Sequence, residues 1–292
     1  MRWEFRERCF EWTDAPVRHA SASTHTRLMG ILNVTPDSFS DGGMHASLDA
    51  AVSAALAMVD NGAEIIDVGG ESTRPGSDPV SAEVELERVV PVIAAVRART
   101  DAVLSVDTTK ASVAYAALDA GADIINDVSG LTLDPEMVSV AAETGAGVVV
   151  MHMRGLPKTM QTGDLRSTDI VGEVCAYLHG RIERLVAAGV ARSAICVDPG
   201  IGFGKTLEQN LALSAAFSRY AALERPVLLG PSRKSFIGAL TDQPVDRRLP
   251  GTAAACALAA ADGVHWLRVH DVREMMDVVR VAEAIKRARG EV

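Results

Sequence analysis

Eight short apolar runs in this 292-residue sequence finish on groups that can hydrogen-bond or carry charge. In chain order these groups are Asn33, Asp67, Asp107, Asn126, His152, Asp198, Ser232 with Lys234, and Arg268 with His270. A lone Asp in such a place usually caps the next turn or helix. Eight runs that all finish this way are harder to explain as caps. The groups sort into two kinds. Asp107, Asn126 and Asp198 accept hydrogen bonds, and Asn126 also donates. Such a set suits a flat heterocycle with several N–H groups, because buried polar atoms left unpaired are costly. Lys234, Arg268 and His270 are cationic or nearly so, and an arginine matches phosphate oxygens with two parallel donors. Together they predict a polar pocket for a heterocycle that carries an anionic group.

The elements that must position these groups follow one repeated pattern. The run Leu28-Met29-Gly30-Ile31-Leu32 reads as a buried strand. It gives way at Asn33 to Val34-Thr35-Pro36-Asp37-Ser38-Phe39-Ser40-Asp41-Gly42-Gly43, a stretch of turn-forming residues. An Ala-rich helical stretch over 47–60 ends at Asn61-Gly62, and a β-branched strand follows. Helix, glycine, strand and polar tip recur after Gly121, Gly145, Gly189 and Gly263. The expected strands lie near 29–33, 64–68, 103–107, 123–127, 147–152, 194–198, 226–230 and 264–270. Short apolar strands separated by helical segments indicate a parallel sheet covered by helices. Eight such units indicate a (β/α)₈ (TIM) barrel of the α/β class, in which every strand end named above opens on one face. The competing architecture is a doubly wound open sheet. Its dinucleotide-binding form calls for G-x-G-x-x-G after the first strand, and that strand here ends in Asn-Val-Thr-Pro.

Composition narrows the partners. A net charge of -9 argues against nucleic acid or an anionic membrane as the main partner, while leaving room for a small basic pocket. No apolar run approaches the roughly 20 residues of a membrane span. Cys9, Cys175, Cys196 and Cys256 are scattered without C-x-x-C spacing, which fits reduced thiols in a cytoplasmic protein. Residues 1–26 lack the continuous apolar core of a signal peptide and read as an extension, with a hairpin from Trp3 to Trp12, ahead of a barrel domain over 27–292. Gly200-Ile201-Gly202-Phe203-Gly204-Lys205-Thr206 imitates a P-loop, but the phosphate-binding pattern needs glycine where Pro199 stands. The seven histidines show no H-x-x-x-H or H-E-x-x-H spacing, so a zinc hydrolase has little support.

The motifs NVTPDSFSDGG, GAEIIDVGGESTRPGS, DPGIGFGKT, GPSRKSFIG and LRVHDV, in this order, resemble the dihydropteroate synthase family of folate biosynthesis. The likeness runs from about Leu28 to the final helix. It implies a homodimeric (β/α)₈ barrel that condenses 6-hydroxymethyl-7,8-dihydropterin pyrophosphate with para-aminobenzoate, and a target of sulfonamides. Carried over by motif, Asp107, Asn126, Met151, Asp198, Gly230 and Lys234 would hold the pterin. Asn33, Arg268 and His270 would hold the pyrophosphate, with Mg²⁺ on Asn33. Phe39, Thr73, Arg74, Pro75, Phe203, Ser232 and Lys234 would form the para-aminobenzoate site. Asp107, Lys234 and Asn33 would carry the chemistry, an SN1-like departure of pyrophosphate before the aniline attacks. Thr35 to Gly43 would be a lid hinged at Gly42-Gly43. Two other readings are a pterin-dependent methyltransferase domain, expected to lack TPDSFSDGG and the SRKS segment, and a paralogue that binds pterin without turnover, expected to show lesions in these loops.

Overall fold

The structure is a computed structural model that describes residues 1–12, 25–35, 43–73, 76–162 and 164–290. Phe39, Arg74 and Pro75, and most of the expected lid, lie outside the described residues. The chain opens with an antiparallel hairpin of β1 (Arg2–Phe5) and β2 (Arg8–Glu11). The barrel strands are β3 (Arg27–Asn33), β4 (Ala63–Gly69), β5 (Val103–Asp107), β6 (Ile124–Asp127), β7 (Gly147–Met151), β8 (Ile195–Asp198), β9 (Leu228–Leu229) and β10 (Trp266–Val269). Between and after them run α1 (Gly43–Asp60), α2 (Ala82–Arg97), α3 (Ala111–Asp119), α4 (Met137–Thr144), α5 (Ile170–Ala187), α6 (Leu207–Ser214), α7 (Phe217–Ala221), α8 (Ser235–Thr241), α9 (Leu249–Asp262) and α10 (Val272–Ala288).

All barrel pairings are parallel, in the order β8-β7-β6-β5-β4-β3-β10-β9, and a parallel bridge from Val197 to Val227 closes the ring. The (β/α)₈ barrel expected from the sequence is therefore the fold, and the open sheet is not. The seventh strand is shorter than expected. Pro226 has no N–H to give the ladder, and only its carbonyl takes part, accepting from Val197 N at 2.9 Å. The helix-ending glycines do what the repeat implies. Gly263 adopts a left-handed φ of 90°, and the N–H of Val264 turns back to the carbonyl of Ala259 at 3.0 Å.

Side chains alternate between the two faces of each strand. Leu28, Ile66, Leu104, Ile125, Val148, Val197 and Leu267 belong to the main core, which also takes in the buried faces of the helices. Met29, Ile65, Val103, Ile124, Val149, Cys196, Leu228 and Trp266 form a separate cluster with Trp3, Phe5, Phe10 and Trp12 of the hairpin. The barrel's lower interior is thus apolar and stoppered from below. Trp3 is fully buried, donates Nε1 to the carbonyl of Ala194 at 2.8 Å, and meets Trp266 edge-on at 5.8 Å between ring centroids. Phe10 lies 4.8 Å from Trp266 in the same manner, and the Arg27 guanidinium sits over Phe10 at 5.2 Å.

Truncating the stopper opens a large cavity under Trp266 and strips a donor from Ala194. Trp3→Ala is expected to destabilise the protein by about 3–5 kcal/mol, with the urea midpoint as the measurement.

Candidate active site

Two residues further along each strand, the barrel interior changes from apolar to polar. Asp67, Ser105, Asn126, Asp198 and Arg268 follow Ile65, Val103, Ile124, Cys196 and Trp266 at a spacing of two. The pairing register then lines up a row at the rim, because Asn33 pairs with Gly69, Gly69 with Asp107, and Asp107 with Asn126. Glycine at position 69 leaves the space between its neighbours open. A Cβ there would stand 3.5 Å from that of Asp107 and 3.9 Å from Asn33 Oδ1.

Arg268 crosses this layer. Its Nε donates to Asp67 Oδ2 and its Nη2 to Asp107 Oδ2, both at 2.6 Å. Asn126 Nδ2 donates to the same oxygen of Asp67 at 3.0 Å. Burial works against the charge of Arg268, but the two aspartates more than offset it and push its pKa up. Burial raises Asp107 to about 7, while Arg268 pulls the other way. Asp198 rises to about 6 for the same first reason, opposed by the Gly200 N–H that donates to its Oδ1 at 2.7 Å and by Lys234. Lys234 falls to about 8 through burial and Arg268, with Asp198 and Asp107 opposing.

The loops after β9 and β10 are joined. Ser232 Oγ lies 2.9 Å from His270 Nδ1 and accepts from the His270 N–H at 3.2 Å. Arg233 takes a left-handed φ of 56°, rare for a residue with a side chain. It is held there by bonds from its guanidinium to Asp271 at 2.5 and 3.1 Å, from its N–H to Thr252 Oγ1, and from Arg248 to its carbonyl. That turn delivers Lys234, whose ammonium rests 3.8 Å above the Phe203 ring. Phe203, Met151, Val128 and Met160 make a small apolar cluster. The cavity therefore has an apolar wall beside a polar edge, the arrangement a flat aromatic heterocycle requires.

Asn33, Thr73, Asp107, Asn126, Met151, Asp198, Phe203, Gly230, Ser232, Lys234, Arg268 and His270 all line this one cavity of about 650 Å³. His152 follows the end of β7 on this same face, but its side chain does not line the cavity. His152 is buried against Tyr177 of α5, 4.9 Å away between rings, and burial lowers its pKa to about 3. Asp67 is a polar strand end in the sequence, and the structure sets it beneath the rim as the shared acceptor for Arg268 and Asn126. Thr35, Glu71, Ser72 and Ser235 line the cavity as well. Glu71 shares the Lys110 ammonium with the buried Glu85, each at 2.5 Å, which fixes the start of the second loop.

The pterin-binding enzyme family matches residues 29–270, a span that includes all of the cavity residues just named. The dihydropteroate synthase of Synechocystis sp. is 48% identical over 267 residues, covering 90% of this chain and 91% of that protein. The chain belongs to the dihydropteroate synthase family. Among solved structures, the dihydropteroate synthase of Yersinia pestis in a sulfonamide drug complex superposes with a TM-score of 0.87 at 43% identity, covering 99% of this chain and all of that one. The Xanthomonas albilineans dihydropteroate synthase in complex with 7,8-dihydropteroate gives 0.82 at 38% identity, covering 98% and 99%. Likeness to these dihydropteroate synthases thus extends beyond the matched span to nearly the whole chain.

The raised carboxyls have a consequence for stability. An unfolded Asp198 ionises near 4, whereas the folded one keeps its proton until about 6. As pH rises across that window the folded state holds more protons than the unfolded, so the contribution of this group to stability falls. Asp198→Asn is expected to gain stability relative to wild type as pH rises from 4 to 7, read from urea midpoints of the ligand-free proteins along the pH series.

Proposed function

We propose that this chain joins 6-hydroxymethyl-7,8-dihydropterin pyrophosphate to para-aminobenzoate, forming 7,8-dihydropteroate and pyrophosphate. The observation that carries the reading is one cavity in which the edge formed by Asp107, Asn126 and Asp198 meets the cations Lys234 and Arg268, with His270, beside an apolar wall. Neither alternative is favoured. TPDSFSDGG and SRKS are present in the sequence, and the described site residues Asn33, Thr73, Phe203, Lys234, Arg268 and His270 are intact.

In this reading the pterin lies with its N–H edge toward Asp107, Asn126 and Asp198 and one face on Met151. Its pyrophosphate points at Arg268 and His270, where Arg268 still has Nη1 beyond the nitrogens used by the aspartates. Para-aminobenzoate lies by Thr73, Phe203, Ser232 and Lys234, with Phe39, Arg74 and Pro75 completing the site from outside the described residues. Its weakly basic amine is a poor nucleophile, so the order of events is an SN1-like one. The C–O bond breaks, its electron pair leaves with pyrophosphate, and positive charge spreads over the pterin ring. Asp107 faces that charge. The aniline nitrogen then forms the new C–N bond and releases a proton. Charges fixed before the reaction stabilise such a transition state without reorganising.

The donor set at the rim fits Mg²⁺. The amide oxygen of Asn33 is a hard ligand, and no group of three or more His, Cys, Asp or Glu residues among those described could hold a metal by itself. Mg²⁺ prefers one or two protein oxygens with waters and substrate phosphates. Bound there by Asn33, it would neutralise charge on the pyrophosphate oxygens. We further place the enzyme in the cytoplasm, as a homodimer and a sulfonamide target. Four unpaired cysteines suit a reducing compartment, and no described helix is long and apolar enough to cross a membrane.

The direct test is incubation of the protein with both substrates and Mg²⁺ and chromatographic detection of dihydropteroate. Asp107→Ala is expected to cost on the order of 100- to 1000-fold in turnover. Its fold should survive, since Asp67 still pairs Arg268. Wild-type rates in that variant would overturn the assignment. Chelation with EDTA should suppress turnover and added Mg²⁺ restore it; unchanged rates in EDTA would remove the metal from the reading.

A further inference from the structure

The segment that imitates a P-loop binds no phosphate through its lysine and threonine, because both are committed elsewhere. Thr206 caps α6, accepting from Gln209 N at 3.3 Å while Gln209 Oε1 accepts from Thr206 N at 3.1 Å. Lys205 is buried, and its ammonium donates to three backbone carbonyls: Gly200 at 2.7 Å, Phe203 at 2.9 Å and His152 at 3.2 Å. Two of those carbonyls belong to the loop that carries Phe203, and the third belongs to the segment leaving β7. The two segments lie backbone against backbone. A Cβ on Gly200 would come within 1.9 Å of the His152 carbonyl oxygen, and one on Gly204 within 2.1 Å of that of Arg154.

We infer that Lys205 is a positioning residue for the para-aminobenzoate end of the site, acting through Phe203. This rests on the placement of Phe203 beside that substrate given above. An ammonium has three N–H donors, matching three carbonyls that face it. No neutral side chain of similar length supplies all three. Burial lowers the Lys205 ammonium to about 7, with Asp198 supporting the charge and Arg154 and Lys234 opposing it. The held carbonyl of Phe203 fixes the ring on which the Lys234 ammonium sits at 3.8 Å. Displacement of the loop would therefore shift that apolar wall, while the turn at Arg233 that delivers Lys234 keeps its own bonds to Asp271, Thr252 and Arg248. Lys205 itself is not among the cavity-lining residues, so it touches no substrate.

The test compares wild type with Lys205→Met, which keeps length without donors, and Lys205→Gln, which restores two. Wild type must first make dihydropteroate; if it does not, the functional reading fails before this one is reached. For Lys205→Met the KM for para-aminobenzoate is expected to rise about tenfold or more, the scale of one charge-assisted hydrogen bond. The KM for the pterin pyrophosphate and kcat should stay within about threefold, and Lys205→Gln should lie between. Combining Lys205→Met with Phe203→Leu should give less than the product of the single effects, since both act on one ring. The inference is overturned if both KM values rise equally, if neither rises, or if the two substitutions multiply. It is also overturned if both lysine variants are unfolded by circular dichroism, which would make Lys205 a residue of the fold alone.

Discussion

Arg268, held between Asp67 and Asp107, is the interaction on which the polar half of this barrel depends. Three charged groups inside a barrel are tolerable only when they satisfy one another, and Arg268 is the member both aspartates depend on, since its removal would leave two buried carboxylates unpaired. The arrangement joins β10 to β4 and β5 across the interior, and through Asp67 it also orients the amide of Asn126. Two of the four groups are strand-end residues facing the cavity from β5 and β6, and one is a cation that lines it. Their geometry is set by one another before any ligand arrives. Such fixed charge is what a reaction with developing positive and negative centres needs.

A polar layer of this kind needs a dry floor. The strands supply it by periodicity, since the residues two positions earlier are Ile65, Val103, Ile124 and Trp266, and the hairpin seals them with Trp3, Phe5, Phe10 and Trp12. The apolar floor and the raised carboxyls above it are two results of one exclusion of water. Burial is the largest influence on Asp107, Asp198 and Lys234 alike, in the direction that favours the neutral form of each.

The loops show how a motif can mislead by composition and inform by position. The glycines of GIGFGKT look like a phosphate cradle, yet here they permit close packing of two loops, and the lysine closes that packing from within. The SRKS segment works in the opposite way. Arg233 accepts an unfavourable backbone conformation, held by Asp271 and Thr252, so that Lys234 next to it reaches Phe203. Both loops converge on the same aromatic ring from different units of the barrel.

The sequence by itself determined the barrel and the polar strand ends around its cavity, whereas Glu71, Ser72 and the wall residues Val128 and Met160 joined that lining only in the folded chain. Short apolar strands and glycine-terminated helices are local properties, and a barrel puts every strand end on one face, so the sequence brings Asp107, Asn126, Asp198 and Arg268 together. Local pattern could not say which charge pairs with which. Asp67 and Asp107 look alike as strand ends, but only the strand order and stagger place Asp67 one layer deeper, under Arg268. His152 shares their place in the pattern, but its ring packs against Tyr177 of the next helix. Lys205 could not be understood at all until the carbonyl of His152, distant in sequence, was seen beside it. Pairing energies inside a protein depend on distance and burial, and those are properties of the closed barrel rather than of the chain.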